Sequence, residues 1–210
     1  MKLTGRRIFV YIIGLIILAL GIDLNTKTCL GISPIISVPY NISSISGAML
    51  GAVIFIYYCL QIFLQWLLDR EKFSKIQLLQ IPCAFITSLA VQVFDSIIPT
   101  PSGMVARIVV LILAICVTGL GAAIVVAMKI VPNPADGLAN VVGTKLGHDF
   151  GFGKNVIDFV SIIISFIIGF VATGGILGIG IGTVIAMIFT GRVIALLYNS
   201  TSKIYQWTLA

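Results

Sequence analysis

Six apolar stretches, at about 8–24, 47–68, 76–97, 104–128, 155–173 and 176–198, leave this chain few ways to fold. Each is near the roughly 20 apolar residues that cross a hydrocarbon core as a helix. A Pro-marked break follows the first stretch at Ser33-Pro34 and the fourth at Asn133-Pro134, one hundred positions later. The expected fold class is therefore all-α: a polytopic membrane protein with six transmembrane helices. They form two three-helix repeats, residues 1–98 and 99–210, within one membrane domain. Three crossings per half make the second half enter the bilayer from the opposite side, so the repeat is inverted. Broken helices in matched positions of such halves point to a transporter-type binding site.

Charge agrees with this reading. Only 10% of the residues are charged, against roughly 25% in soluble domains, and mean hydropathy is +1.16. The basic start resembles a signal peptide, but its apolar run is long and has no clear cleavage site leading into a soluble domain. A net charge of +6 would suit a nucleic-acid partner if it formed a patch, and it does not. Counted alternately along the spans, Lys2, Arg6, Arg7, Arg70, Lys72, Lys75, Lys129, Lys145, Lys154 and Lys203 fall on one side. Lys27 and Arg107 fall on the other, with Arg192 inside the last span. That asymmetry places both termini in the cytoplasm. Cys29, Cys59, Cys83 and Cys116 are scattered and read as packing residues, and His148 completes no metal cluster with them. Neither a metal nor a cofactor is expected. An enzyme is not expected either, because no GxSxG or HExxH motif is present.

The breaks carry helix-start chemistry. Ser33 and Asn133 are N-cap residues, and each is followed by Pro at the first helical position, where a missing N–H costs nothing. The first short helix is expected to last a turn or two before Pro39, Asn41 and the serines at 43, 44 and 46 end it. The second runs over Pro134–Leu146 and closes at Gly147. In span three, Gln77, Gln80, Thr87, Ser88, Gln92 and Asp95 fall on roughly 140° of arc at a 3.6-residue period, a stripe that should face protein or water. Gly174, Gly178, Gly182, Ala186 and Thr190 recur every fourth residue and read as a close helix-packing face in the last span.

Among the candidate binding residues, Asp136 stands at the third position of the second broken helix. A carboxylate there complements the helix dipole or serves a solute or coupling ion. Asp158 lies about one turn into span five, within reach of Lys154 at i−4 or facing a cavity. Asp95 ends the span-three stripe, with Arg107 as its expected partner. The candidate set is completed by Ser33, Pro34, Asn133, Pro134, Gln80 and Gln92. Asn133-Pro134-Ala135 spells the aquaporin signature, yet the first half offers Ser33-Pro34-Ile35, and each break follows the first span of its half. A water channel is not the expected reading.

Asn133-Pro134-Ala135-Asp136-Gly137-Leu138, Asp158, the run Gly175–Ile185, Leu30-Gly31-Ile32-Ser33-Pro34 and Asp95 together resemble the YczE/YyaS-like, YitT-related group of small bacterial membrane proteins. The resemblance implies a multi-pass protein of the bacterial inner membrane, poorly defined in function and often regarded as transporter-like. Gly191-Arg192 departs from the Gly-Pro usual there and puts a cation near the inner mouth. The expected function is a small secondary transporter of a small organic solute, coupled to a proton or cation. The lipid bilayer and a second copy of the chain are further expected partners. The alternative is a non-transporting accessory or assembly subunit.

Overall fold

Helix ends, where backbone groups lose their own partners, organise this molecule. The computed structural model describes residues 4–209, so Lys2 of the basic side lies outside the described residues. The helices are α1 (Gly5–Lys27), α2 (Pro34–Ser46), α3 (Leu50–Leu68), α4 (Gln80–Ile97), α5 (Met104–Ala127), α6 (Pro134–Lys145), α7 (Phe150–Thr173) and α8 (Ile181–Leu209). A 3-10 turn, Lys75–Leu79, leads into α4. Six helices are long and apolar enough to cross a membrane, while α2 and α6 are too short.

Three expectations are corrected. The first broken helix runs for 13 residues, straight through Pro39. Pro39 is buried, so packing holds the helix across the missing N–H, and Ser37 Oγ donates to the Pro34 carbonyl at 2.6 Å. Span five starts at Phe150 because Asp149 Oδ1 accepts from the Phe152 N–H at 2.9 Å, which puts Asp158 two turns deep. The last span starts at Ile181, so Gly174 and Gly178 are not part of a helical stripe. They adopt φ of +71° and +69°, Gly174 as the C-cap of α7 and Gly178 in the segment that follows. That segment is pinned to the first break: the Ile32 N–H donates to the Gly178 carbonyl at 2.9 Å, and the Gly182 N–H to the Leu30 carbonyl at 2.8 Å.

The two breaks share a backbone path at an offset of one hundred. Thr28 and Met128 end their helices in right-handed geometry, and Cys29 (φ 54°) and Lys129 (φ 49°) turn left-handed. Ser33 and Asn133 then cap at φ/ψ of −54°/141° and −58°/144°. Beyond the short helices, Gly47 and Gly147 take φ of 71° and 74°. The correspondence reaches the contact between α1 and α5. A Cβ on Gly21 would strike the Thr118 backbone, and one on Gly121 would strike the Leu18 backbone. Small residues allow this approach where the hydrophobic effect gives helices no reason to associate.

Around that central crossing, α4 packs on α1 and α8 on α5, while α2 and α6 each lie against both α3 and α7. Leu18, Ile22, Ile36, Ile54, Ala122 and Ala135 share the principal core cluster. Outward-facing Ile56, Phe85, Ile112, Val171 and Leu196 stay exposed, as a lipid-facing surface requires. The N- and C-terminal helices end together, with Thr4 Oγ1 donating to the Thr208 carbonyl at 2.9 Å. At the same end Arg7 donates to the Met128 and Lys129 carbonyls, the Arg6 and Arg7 guanidiniums lie over Trp207 and Tyr205, and Arg7 is fully buried. The cysteines are free, and Cys29 and Cys116 are exposed instead of filling the core.

Candidate functional site

The N-termini of α2 and α6 open onto one cavity of about 100 Å³. One water needs roughly 10–15 Å³ on this measure, so the space admits several waters or a small organic solute. Pro34 lines it, and Ser33, Asn133, Asp136, Lys154 and Asp158, with Asn25, Tyr58 and two threonines, supply its polar side chains. Leu18, Ile22, Ile36, Ile115, Met187 and Ile194 are among the residues that supply its apolar wall.

The two helix starts differ in how they are closed. Asn133 Oδ1 accepts from the Ala135 N–H at 3.1 Å, so α6 carries its own cap. The Ser33 side chain makes no such bond, and α2 opens uncapped. Instead, the Ser33 N–H donates to Asn25 Oδ1 at 2.6 Å, fixing the break against α1. Tyr58, fully buried on α3, brings its hydroxyl to the Asn133 side chain.

Three charges meet at the α6–α7 side. Lys154 Nζ lies 3.5 Å from Asp158 Oδ2, one helical turn away, and also faces Asp136. Asp158 is 2% exposed, and its Oδ1 has no partner among the described residues. Asp136 stands outside the six long helices. Desolvation pushes its carboxyl above the usual carboxylate range, and the Lys154 ammonium pulls the other way. Glycines let these helices touch: a Cβ on Gly153 would meet the Ala139 carbonyl of α6.

Of the sequence candidates, Ser33, Pro34, Asn133, Asp136 and Asp158 come together here. Pro134 sits just behind, its carbonyl accepting from Gln65 Nε2 at 3.0 Å. Gln80 reaches it indirectly, through a reciprocal amide pair with Gln65 at 3.0 and 3.1 Å. Gln92 and Asp95 do not join the cavity. Gln92 Oε1 accepts from the Gly51 N–H at 2.9 Å at the start of α3. The partner of Asp95 is Lys27 at 2.7 Å and not Arg107, whose Nε donates to the Pro101 carbonyl at 3.4 Å. Arg192 is exposed, with its guanidinium over the Phe189 ring, and does not line the cavity.

Sequence reasoning missed a second polar set. Lys154, Asp158, Ser161 and Ser165 repeat at spacings of four, three and four on α7, with Ser165 fully buried. On α3 the buried Tyr58, Gln61 and Gln65 occupy positions one hundred earlier than Asp158, Ser161 and Ser165. Each stripe meets the opposite half: Gln65 touches Pro134 of α6, and Asn41 Nδ2 of α2 donates to Ser165 Oγ at 2.9 Å. The 3.6-residue period alone would have exposed the α7 stripe. Asp23 was also missed, a fully buried carboxylate of α1 whose side-chain oxygens have no hydrogen-bond partner among the described residues.

A second cavity of about 140 Å³ lies between the end of α3 and α6, lined by Gln65, Asp69, Gln77, Asn140 and Thr144. Lys145 pairs with Asp69 at 2.9 Å beside it. No match was found among curated proteins or among solved structures. Residues 5–199 match the model of a family of unknown function, DUF6198, and the chain belongs to that family.

Proposed function

We propose that this protein is a small secondary transporter whose solute binds between the two broken helices. The observation that carries this reading is the shared cavity, with both helix starts and the Asp136–Lys154–Asp158 group in its lining. Irregular backbone at membrane depth is tolerated where it is buried in protein or lines a cavity, and helix N-termini there hold anionic or polar groups. The uncapped start of α2 receives a carboxylate or hydroxyl of the solute, and Asp136 carries the coupling proton or cation. The apolar wall favours a small organic body over a multiply charged ion. In this reading the halves are inverted repeats in a bacterial inner membrane with both termini cytoplasmic. The matched backbone at the two breaks and the reciprocal Gly21/Gly121 contact support the repeat, and the YczE/YyaS-like resemblance supports the setting.

The test is twofold. A thermal-shift screen of detergent-solubilised protein against metabolites identifies the solute, because a ligand that binds only the folded state raises the midpoint. Reconstituted protein should then exchange that solute, and Asp136→Asn should abolish exchange without lowering expression. Full exchange by Asp136→Asn would remove this role for the carboxyl.

One observation favours an accessory-subunit reading. Helix α3 packs on α4, whereas the corresponding α7 and α8 share almost no contact, leaving the α8 flank open to another protein. That reading expects Asp136→Asn to be silent and bulky replacement of Gly182 to break complex formation.

A further inference from the structure

Beside the cavity, between α3 and α7, is a group of buried and half-buried oxygen-bearing side chains, of which the solute reading uses only Asp158. Gln61 is 1% exposed, and neither its Oε1 nor its Nε2 has a hydrogen-bond partner among the described residues. Asp158 Oδ1 is in the same condition. Tyr57, one turn before Gln61, places its hydroxyl 3.5 Å from Ser161 Oγ, and Ser161 is one turn after Asp158. Tyr57 also lies close enough to Gln61 and Asp158 to interact with both. Asp158 stands about 12 Å along α7 from its start at Phe150, at 1.5 Å per residue.

Leaving such atoms unpaired is expensive, since a buried amide or carboxylate without a partner loses its hydration and gains nothing. A bridging water would satisfy the hydrogen bonds and leave the charge balance untouched. Among the charged residues lining the adjoining cavity, Asp136 and Asp158 face Lys154 alone, so with both ionised, at alkaline pH, one carboxylate is left over. No three His, Cys, Asp or Glu side chains converge among the described residues, so a transition-metal ligand set is not present there. Carboxylate, amide and hydroxyl oxygens are hard donors that suit hard cations.

We propose that Asp158 Oδ1, Gln61 Oε1 and the Ser161 and Tyr57 hydroxyls form a binding site for a sodium ion. Lys154 engages the other carboxylate oxygen, leaving Oδ1 for the ion. Asp158 thus belongs both to the cavity and to the ion site, and the bound charge offsets the surplus carboxyl. Apart from Asp158 the proposed ligands lie outside the cavity lining, so sodium binding can be measured whether or not a solute is transported.

The experiment uses the full-length protein in detergent at alkaline pH and constant ionic strength, with sodium replaced stepwise by choline or potassium. Sodium should raise the thermal midpoint saturably, and radioactive sodium should bind and be displaced by unlabelled sodium, not by choline. Ser161→Ala, a small change that preserves packing, should weaken the apparent sodium affinity about tenfold or more. Gln61→Leu should remove the sodium response, and each variant is first checked for monodisperse elution. If Gln61→Leu aggregates, Ser161→Ala decides. Equal midpoints in sodium and choline with no radioactive sodium retained would overturn the proposal. So would an unchanged sodium response in Ser161→Ala. Sodium binding without solute exchange would keep the site and remove only the transporter.

Discussion

Lys154 is the cation among the described residues lining the main cavity, and removing it should cost more than removing either acid. Its loss strands Asp158 at 2% exposure and Asp136 beside it. Breaking a buried pair from one side costs about 3 kcal/mol or more, mostly the penalty on the abandoned charge. Lys154→Met should therefore lower stability by about that amount, and Lys154→Met with Asp158→Asn should recover most of it. Reversible unfolding in mixed micelles measures both; a double variant as unstable as the single would show that the charges do not compensate. At this scale the sequence was partly legible. Asp136 and Asp158 could be found because a carboxylate in an apolar run is costly and rarely idle. Gln61 and Asn41 could not, because an isolated uncharged polar residue in a helix acquires meaning only when its face is known, whereas Ser161 shares the periodic stripe of α7. Asp95 was assigned the wrong partner for a related reason: Arg107 is nearer in sequence, but Lys27 ends the helix that packs on α4.

Helix ends were more legible than helix faces. Ser-Pro and Asn-Pro announced where both short helices start, since a proline at the first position acts locally. The cap hydrogen bond expected at both is made by Asn133 and not by Ser33. The length of α2 was misjudged because Pro39 is held by burial, a tertiary effect. Likewise the four-residue glycine repeat looked helical, yet Gly174 and Gly178 lie outside α8 with positive φ, Gly174 capping α7 and Gly178 docking on α2 and the first break. The α1–α5 crossing gives a sharper expectation. Gly21→Val and Gly121→Val should each lose about 2 kcal/mol, because the added carbons meet partner backbone, which yields less readily than a side chain. Gly191→Ala, with open space around it, should stay within about 0.5 kcal/mol of wild type. Thermal midpoints in one detergent compare all three. A large loss at 191 or none at 21 and 121 would contradict the packing.

At the scale of the whole molecule, exchanging one half for the other preserves most helix pairings. The α1–α4 contact maps onto α5–α8, and α3–α6 onto α7–α2. The sequence halves match at only a few positions, among them Leu20/Leu120, Gly21/Gly121, Pro34/Pro134 and Gly47/Gly147, and the glycine and proline pairs set backbone path or close approach. What the account most depends on is that α2 and α6 leave the shared cavity in opposite directions. Thr144 lies next to Lys145, which pairs with Asp69 at the end of α3, while Ser46 lies near its start. The span of α3 therefore separates them by about 28 Å. The direct measurement is the distance between spin labels on Ser46→Cys and Thr144→Cys, with the native cysteines replaced, in lipid nanodiscs. About 30 Å or more is the expected result, the helix length setting the scale. A distance below about 20 Å, too short for helix ends on opposite faces of a bilayer, would contradict the account.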